Sequence, residues 1–180
     1  MSETNAAQAP LLQARASVLV SATPSEVYSV ISDLPRSGDW SPECVGGTWI
    51  TGEPATVGAV FRGDNERSAD VVAWAPVVRG RWSTESEVVA ADPGQTFRWA
   101  MRDSKGARQE SVWGFDLEST ADGCVLTHHF WMGSATEGIR GITAEMDDAE
   151  RTRFFTEWQT KLGGDLASTL ERIKTVIEKS

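Results

Sequence analysis

The stretch FFTEWQTKLGGDLASTLERIKTVI, residues 154–177, decides the fold. Phe155, Trp158, Leu162, Leu166, Leu170, Ile173 and Ile177 recur at steps of three and four, the spacing that puts side chains on one face of an α-helix. Some twenty residues at helical rise make that apolar stripe about 30 Å long. A stripe of this length has to be buried against something large. Asp147, Asp148 and Glu150 precede it and Lys174 and Lys179 close it, the charge order that the helix dipole favours. Gly163 and Gly164 fall mid-helix, where each costs about 1 kcal/mol relative to alanine. A close-packed strand, room for a ligand beside the helix, or a mild kink are the three readings of that pair.

What the helix packs on is written upstream of it. From Val45 to Met132, turn clusters separate strand-length runs: Ala91-Asp92-Pro93-Gly94, Asp103-Ser104-Lys105-Gly106 and Thr120-Ala121-Asp122-Gly123. Phe97, Trp99 and Met101 alternate with Thr96, Arg98 and Arg102, and Trp113, Phe115 and Leu117 alternate with Val112, Asp116 and Glu118. One face is large and apolar and the other polar, as in an antiparallel sheet covered on one side only. Residues 66–76 break the pattern and read as a longer connection. Before the sheet, a first strand over Gln13–Val20 begins near Leu11, and Thr23-Pro24-Ser25-Glu26 is a capping box with proline at the first helical position. Val27, Val30, Ile31 and Leu34 continue that helix to Pro35, and Gly38-Asp39-Trp40-Ser41-Pro42 implies a second short helical turn or a loop.

Residues 1–10 contain an acid and no apolar core, so they read as a disordered tail rather than a targeting signal, and residues 11–180 as one domain. A net charge of -9 with no Lys/Arg cluster argues against nucleic acid or an anionic membrane surface as partner. No apolar run is long enough for stable membrane insertion. Cys44 and Cys124 are far apart and lack metal or disulfide spacing; they read as reduced thiols in a cytoplasmic protein with no metal and no cofactor. No Ser-His-Asp or Cys-His set and no phosphate loop appears, which removes hydrolase and NTPase readings. The oligomeric state is not legible.

The element order, together with Ser32-Asp33-Leu34-Pro35-Arg36-Ser37-Gly38-Asp39-Trp40-Ser41-Pro42-Glu43-Cys44 and Gly58-Ala59-Val60-Phe61-Arg62-Gly63-Asp64-Asn65, resembles the START-like SRPBCC superfamily, and within it the polyketide cyclase/dehydrase and lipid-transport group. The resemblance spans nearly all of 11–177. It implies an α+β helix-grip fold: a curved antiparallel seven-stranded sheet wrapped around a long C-terminal helix, with two short helices after the first strand and a deep cavity for apolar molecules. No uniform catalytic motif is carried over with it, and the fold alone does not name a ligand.

Eight tryptophans are a heavy load for 180 residues, and Trp82, Trp99, Trp113 and Trp158 lie on inward-facing positions. Such rings either line a pocket or fill a core. In 124–132 the apolar set Leu126, Phe130 and Met132 carries His128 inward and leaves His129 outward. His128 is thus a candidate general acid/base with a pKa near neutrality, or a hydrogen-bonded core histidine. Asn65 shares a face with Phe61 and places an amide at a cavity edge, unless it is a turn residue. Trp40 and Glu43 fall near the mouth; Glu43 either orients a polar group, moves a proton, or is a solvated carboxylate. Three functions follow: a binding protein for a small hydrophobic ligand, a polyketide aromatase/cyclase or dehydrase using His128 or Glu43, or a macromolecular interaction protein.

Overall fold

Alternation of apolar and polar residues is strongest over residues 96–132, and three long hairpin-linked strands form there. The computed structural model describes residues 8–180; the tail expected over 1–10 lies almost wholly outside them. In chain order the elements are β1 (Leu12–Val20), α1 (Pro24–Ile31), a 3-10 helix (Leu34–Asp39), β2 (Cys44–Thr51), β3 (Val60–Arg67), β4 (Gly80–Asp92), β5 (Thr96–Arg102), β6 (Arg108–Thr120), β7 (Gly123–Met132), α2 (Glu137–Thr143) and α3 (Asp148–Glu178). The seven strands make one antiparallel sheet in the order β1-β7-β6-β5-β4-β3-β2. Bulges between Val88 and Ala90 and between Ala100 and Arg102 add the local bend that lets the sheet curl about α3.

The capping box forms as read: Thr23 accepts from the Glu26 amide, and Glu26 accepts from the Thr23 amide. Helix α1 nevertheless stops at Ile31, three residues short of the expected end. Ser32 caps it, and Pro35 opens the 3-10 helix rather than ending the α-helix, because its fixed φ and missing N–H suit a first turn. The long connection expected over 66–76 is shifted to 68–79, since β3 pairs through Arg67. Arg79 fastens it by donating to the carbonyls of Val71, Val72 and Ala75 at 2.6–3.0 Å. Helix α2 has no counterpart in the reading of the sequence; its one clear signal is Thr136, whose hydroxyl accepts from the Ile139 amide.

On α3 the buried row is Phe154, Trp158, Leu162, Leu166, Leu170 and Ile173. It starts one residue before the expected Phe155, which is only half-buried beside it. Four-residue steps from Leu162 lead back to Trp158 and Phe154, so helical geometry selects the first phenylalanine of the pair. Gly163 and Gly164 are exposed, and a Cβ on either would touch nothing within 4 Å. Neither a close strand nor a ligand beside the helix accounts for them, and nothing in the structure explains the pair. The helix lies along β1, whose Gln13 and Leu19 carbonyls accept from Gln159 and Lys174 at 2.6 Å each. Lys174 thus serves the sheet edge as well as the end of its own helix, where it pairs with Glu178 at 2.9 Å. Among the described residues, no helix is long and apolar enough to cross a membrane.

Buried side chains gather in two clusters. One is built on Val27, Ile31, Phe97, Phe115, Leu126, Leu170 and Ile173, the other on Leu12, Val77, Met132, Ile139, Phe154 and Leu162. Full burial of side chains of this size contributes about 1.5–3 kcal/mol each. Residues of both clusters line one cavity, Trp40 and Phe61 from the first and Phe130, Met132 and Leu162 from the second.

Candidate functional site

Strand register builds the cavity wall. Phe97 pairs with Phe115 and Phe115 with His128; Trp99 pairs with Trp113 and Trp113 with Phe130. Because alternate side chains share a face, these two rows run side by side across β5, β6 and β7 on the concave surface. On β1 the residues opposite are Ala16 and Ala14, too small to fill the space in front of the rows. The resulting cavity has a volume of about 680 Å³, room for a ligand of drug size. Trp40, Phe61, Asn65, Trp82 and Glu43 line it from the β2–β4 side, Trp99, Trp113, His128 and Phe130 from the sheet centre, and Trp158 from α3. All ten candidates thus stand on one wall system.

His128 is buried on the cavity wall. Its Nδ1 lies 2.8 Å from the Gly114 carbonyl oxygen, and its ring stacks on Phe115 with centroids 4.1 Å apart and planes 10° from parallel. Trp113 and Trp99 stand 5.9 and 6.5 Å away. Burial lowers the imidazole's pKa to about 3, which removes the near-neutral value expected of a general base. The ring is therefore neutral at physiological pH, and no described group partners Nε2. On the opposite face His129 sits 3.4 Å from Asp116, and it too is lowered, chiefly by burial.

Four charges cluster at the other side of the cavity. Arg67 meets Glu43 at two points, Nε to Oε2 at 2.5 Å and Nη2 to Oε1 at 3.0 Å, and Lys161 Nζ lies 3.2 Å from Glu43 Oε1 while also binding Asp165. The Arg67 guanidinium is held over Trp82 and Trp158 at 4.4 and 5.1 Å. Burial pushes the Glu43 carboxyl up, but the Arg67 fork and the Lys161 ammonium outweigh it and hold the group below its ordinary value. Glu43 is therefore a paired anion and not a solvated carboxylate. Asp165 goes the other way: burial raises its pKa, only partly opposed by Lys161.

Asn65 is a strand residue and not a turn. Its amide donates to Thr84 Oγ1 at 3.1 Å and to the Gly63 carbonyl at 3.3 Å. The Trp40 indole packs edge-on against Phe115 with its Nε1 buried and without a partner. Arg67, Lys161 and Asp165 escaped sequence reasoning; the only local signal was the four-residue spacing of Lys161 and Asp165 on the polar flank of the α3 stripe. Cys44 also lines the cavity, accepting from Ser37 Oγ at 3.1 Å, and both cysteines are free thiols. Among the described residues, no group of three or more His, Cys, Asp and Glu could hold a metal ion.

A curled antiparallel sheet gripping one long helix over an aromatic cavity defines a helix-grip protein. Residues 12–178 match the family model described as polyketide cyclase / dehydrase and lipid transport, and the chain belongs to that family. A polyketide-cyclase-like protein of Corynebacterium glutamicum is similar in structure, with TM-score 0.63 and 25% identity over 94% of this chain and 93% of its own. The di-domain aromatase/cyclase StfQ of the steffimycin biosynthetic pathway shares the fold at TM-score 0.65 and 11% identity, with 93% of this chain covering 51% of that one. A protein of unknown function from Staphylococcus aureus does so at TM-score 0.65 and 9% identity, over 93% and 94% of the two chains. No curated protein matches the sequence.

Proposed function

We propose that the chain is a binding protein for a small hydrophobic ligand, held in the cavity between sheet and α3. The observation that carries this reading is the cavity of about 680 Å³ faced by two cross-strand aromatic rows. A core of the same residues without function would close over such a space, because an empty cavity forfeits packing energy. Affinity comes from burial against Trp99, Trp113, Phe130 and Trp158, and orientation from the few polar groups on the wall. Native mass spectrometry of gently purified protein, with extraction of whatever travels with it, tests the reading. A co-purifying apolar molecule supports it. An empty protein that also fails to bind hydrophobic fluorophores overturns it and moves a macromolecular partner to first place.

A catalytic reading, ring closure or dehydration of a polyketide in the same cavity, has one observation in its favour. Asp165 lines the cavity and holds its proton more tightly than an ordinary aspartate, which suits a proton donor better than His128 or Glu43. Under that reading Asp165→Asn abolishes turnover of a demonstrated substrate with binding retained; under the first it leaves no turnover to lose.

A further inference from the structure

A carbonyl oxygen accepts and never donates, so the 2.8 Å contact with Gly114 requires the proton of the neutral His128 ring to sit on Nδ1. Nε2 is then a bare acceptor. The ring cannot turn over to exchange its nitrogens without leaving the Gly114 carbonyl orphaned and breaking the stack on Phe115. His128 thus presents one fixed lone pair to the cavity from between Phe115, Trp113 and Trp99.

Most of the cations on the wall are already engaged: Arg102, for one, donates to Glu85 and to the Gly106 carbonyl. Arg67 and Lys161 are likewise taken up, Arg67 by Glu43 and Lys161 by Glu43 and Asp165. A carboxylate brought in among Phe115, Trp113 and Trp99 would lose its hydration and meet a bare acceptor at His128 Nε2. A carbonyl or ether oxygen would meet the Nε2 lone pair with a lone pair of its own.

We propose that the cavity selects a neutral, ring-bearing ligand whose buried end carries a hydroxyl of the phenol or enol class, donating its hydrogen bond to His128 Nε2. This rests on the ligand-cavity reading above and adds to it which end of the molecule goes in and what that end must carry. His128 is here a specificity residue, with no proton transferred: the weakly basic ring leaves the hydroxyl proton on the ligand.

Four probes of one ring size separate the possibilities: naphthalene, 2-naphthol, 2-methoxynaphthalene and 2-naphthoate, titrated by quenching of tryptophan fluorescence and by calorimetry. The wild-type protein should bind 2-naphthol about three- to tenfold more tightly than 2-methoxynaphthalene, the range of one net neutral hydrogen bond, and 2-naphthoate most weakly. His128→Leu should erase the preference for the hydroxyl while still binding naphthalene. Equal affinity for the hydroxyl and methoxy compounds, or tightest binding of the carboxylate, overturns the inference and leaves the cavity reading standing. Failure of all four, naphthalene included, overturns both. Should His128→Leu fold poorly, the wild-type comparison still decides, and nitrogen NMR of the imidazole gives a second readout: Nδ1 protonated with and without 2-naphthol is expected, and a proton on Nε2 overturns the inference.

Discussion

Glu43 and Arg67, 24 residues apart in the chain, meet through two parallel hydrogen bonds at 2.5 and 3.0 Å on the cavity wall. The pair has little water around it: the Arg67 side chain is 9% exposed and that of Glu43 25%. Its loss should therefore be felt more than that of a surface ion pair. Glu43→Ala is expected to destabilise the protein by about 2–3 kcal/mol in urea denaturation, because the buried Arg67 guanidinium is left without its carboxylate. Arg67→Lys should recover little of an Arg67→Ala loss, since an ammonium has neither the fork nor the flat face held over Trp82. Full recovery would show that charge alone matters there.

Stability should fall with acid earlier than carboxylates alone would make it. The unfolded chain protonates histidine near pH 6.5, whereas buried His128 refuses the proton until about pH 3. A depressed folded pKa means that its contribution is complete above pH 6.5 and is lost as the pH falls toward 3, at up to about 1.4 kcal/mol per pH unit. His129 is shifted the same way and steepens the loss. His128→Leu should flatten the stability profile between pH 6 and 4 by close to one proton, read from urea midpoints across that range. An unchanged slope would mean that the ring is protonated in the fold.

Gly163→Ala and Gly164→Ala should each raise stability by up to about 1 kcal/mol, since both positions are helical and open and neither added methyl meets a neighbour. Thermal melts of the single and double variants check this. A loss at either position would reveal a contact or a bend that the helix needs.

Thr23→Ala removes one half of the α1 capping box and should cost about 1 kcal/mol, with Thr23→Ser close to neutral. Chemical denaturation of the three proteins side by side decides it. Equal stability of all three would mean that Pro24 alone sets the start of the helix.

The strand signal was legible where one face of the sheet is dry. From Phe97 to Met132 large inward residues alternate with polar ones, so the ring positions, and His128 among them, follow from a period of two. Helix α3 was legible by its period of 3.6, although of the two adjacent phenylalanines the sequence reading took Phe155 as the first of the stripe where Phe154 is the buried one. The charged cluster was not legible. Glu43 enters from the loop before β2, Arg67 from the end of β3, and Lys161 and Asp165 from α3, and no spacing in the chain records that the curl of the sheet brings them together. Nor could the pKa of His128 be read, since it depends on how completely three neighbouring rings exclude water. Helix α2 is too short to show a period.

The two side chains that α3 lays on the first strand also bear on how molecules of this chain can associate. Strand β1 ends the sheet, and the carbonyls of Gln13 and Leu19 are already engaged by Gln159 and Lys174. A strand arriving from another molecule would have to displace both before it could add to that border. The helix that closes the cavity thereby also guards the fold against runaway strand-to-strand assembly from that side.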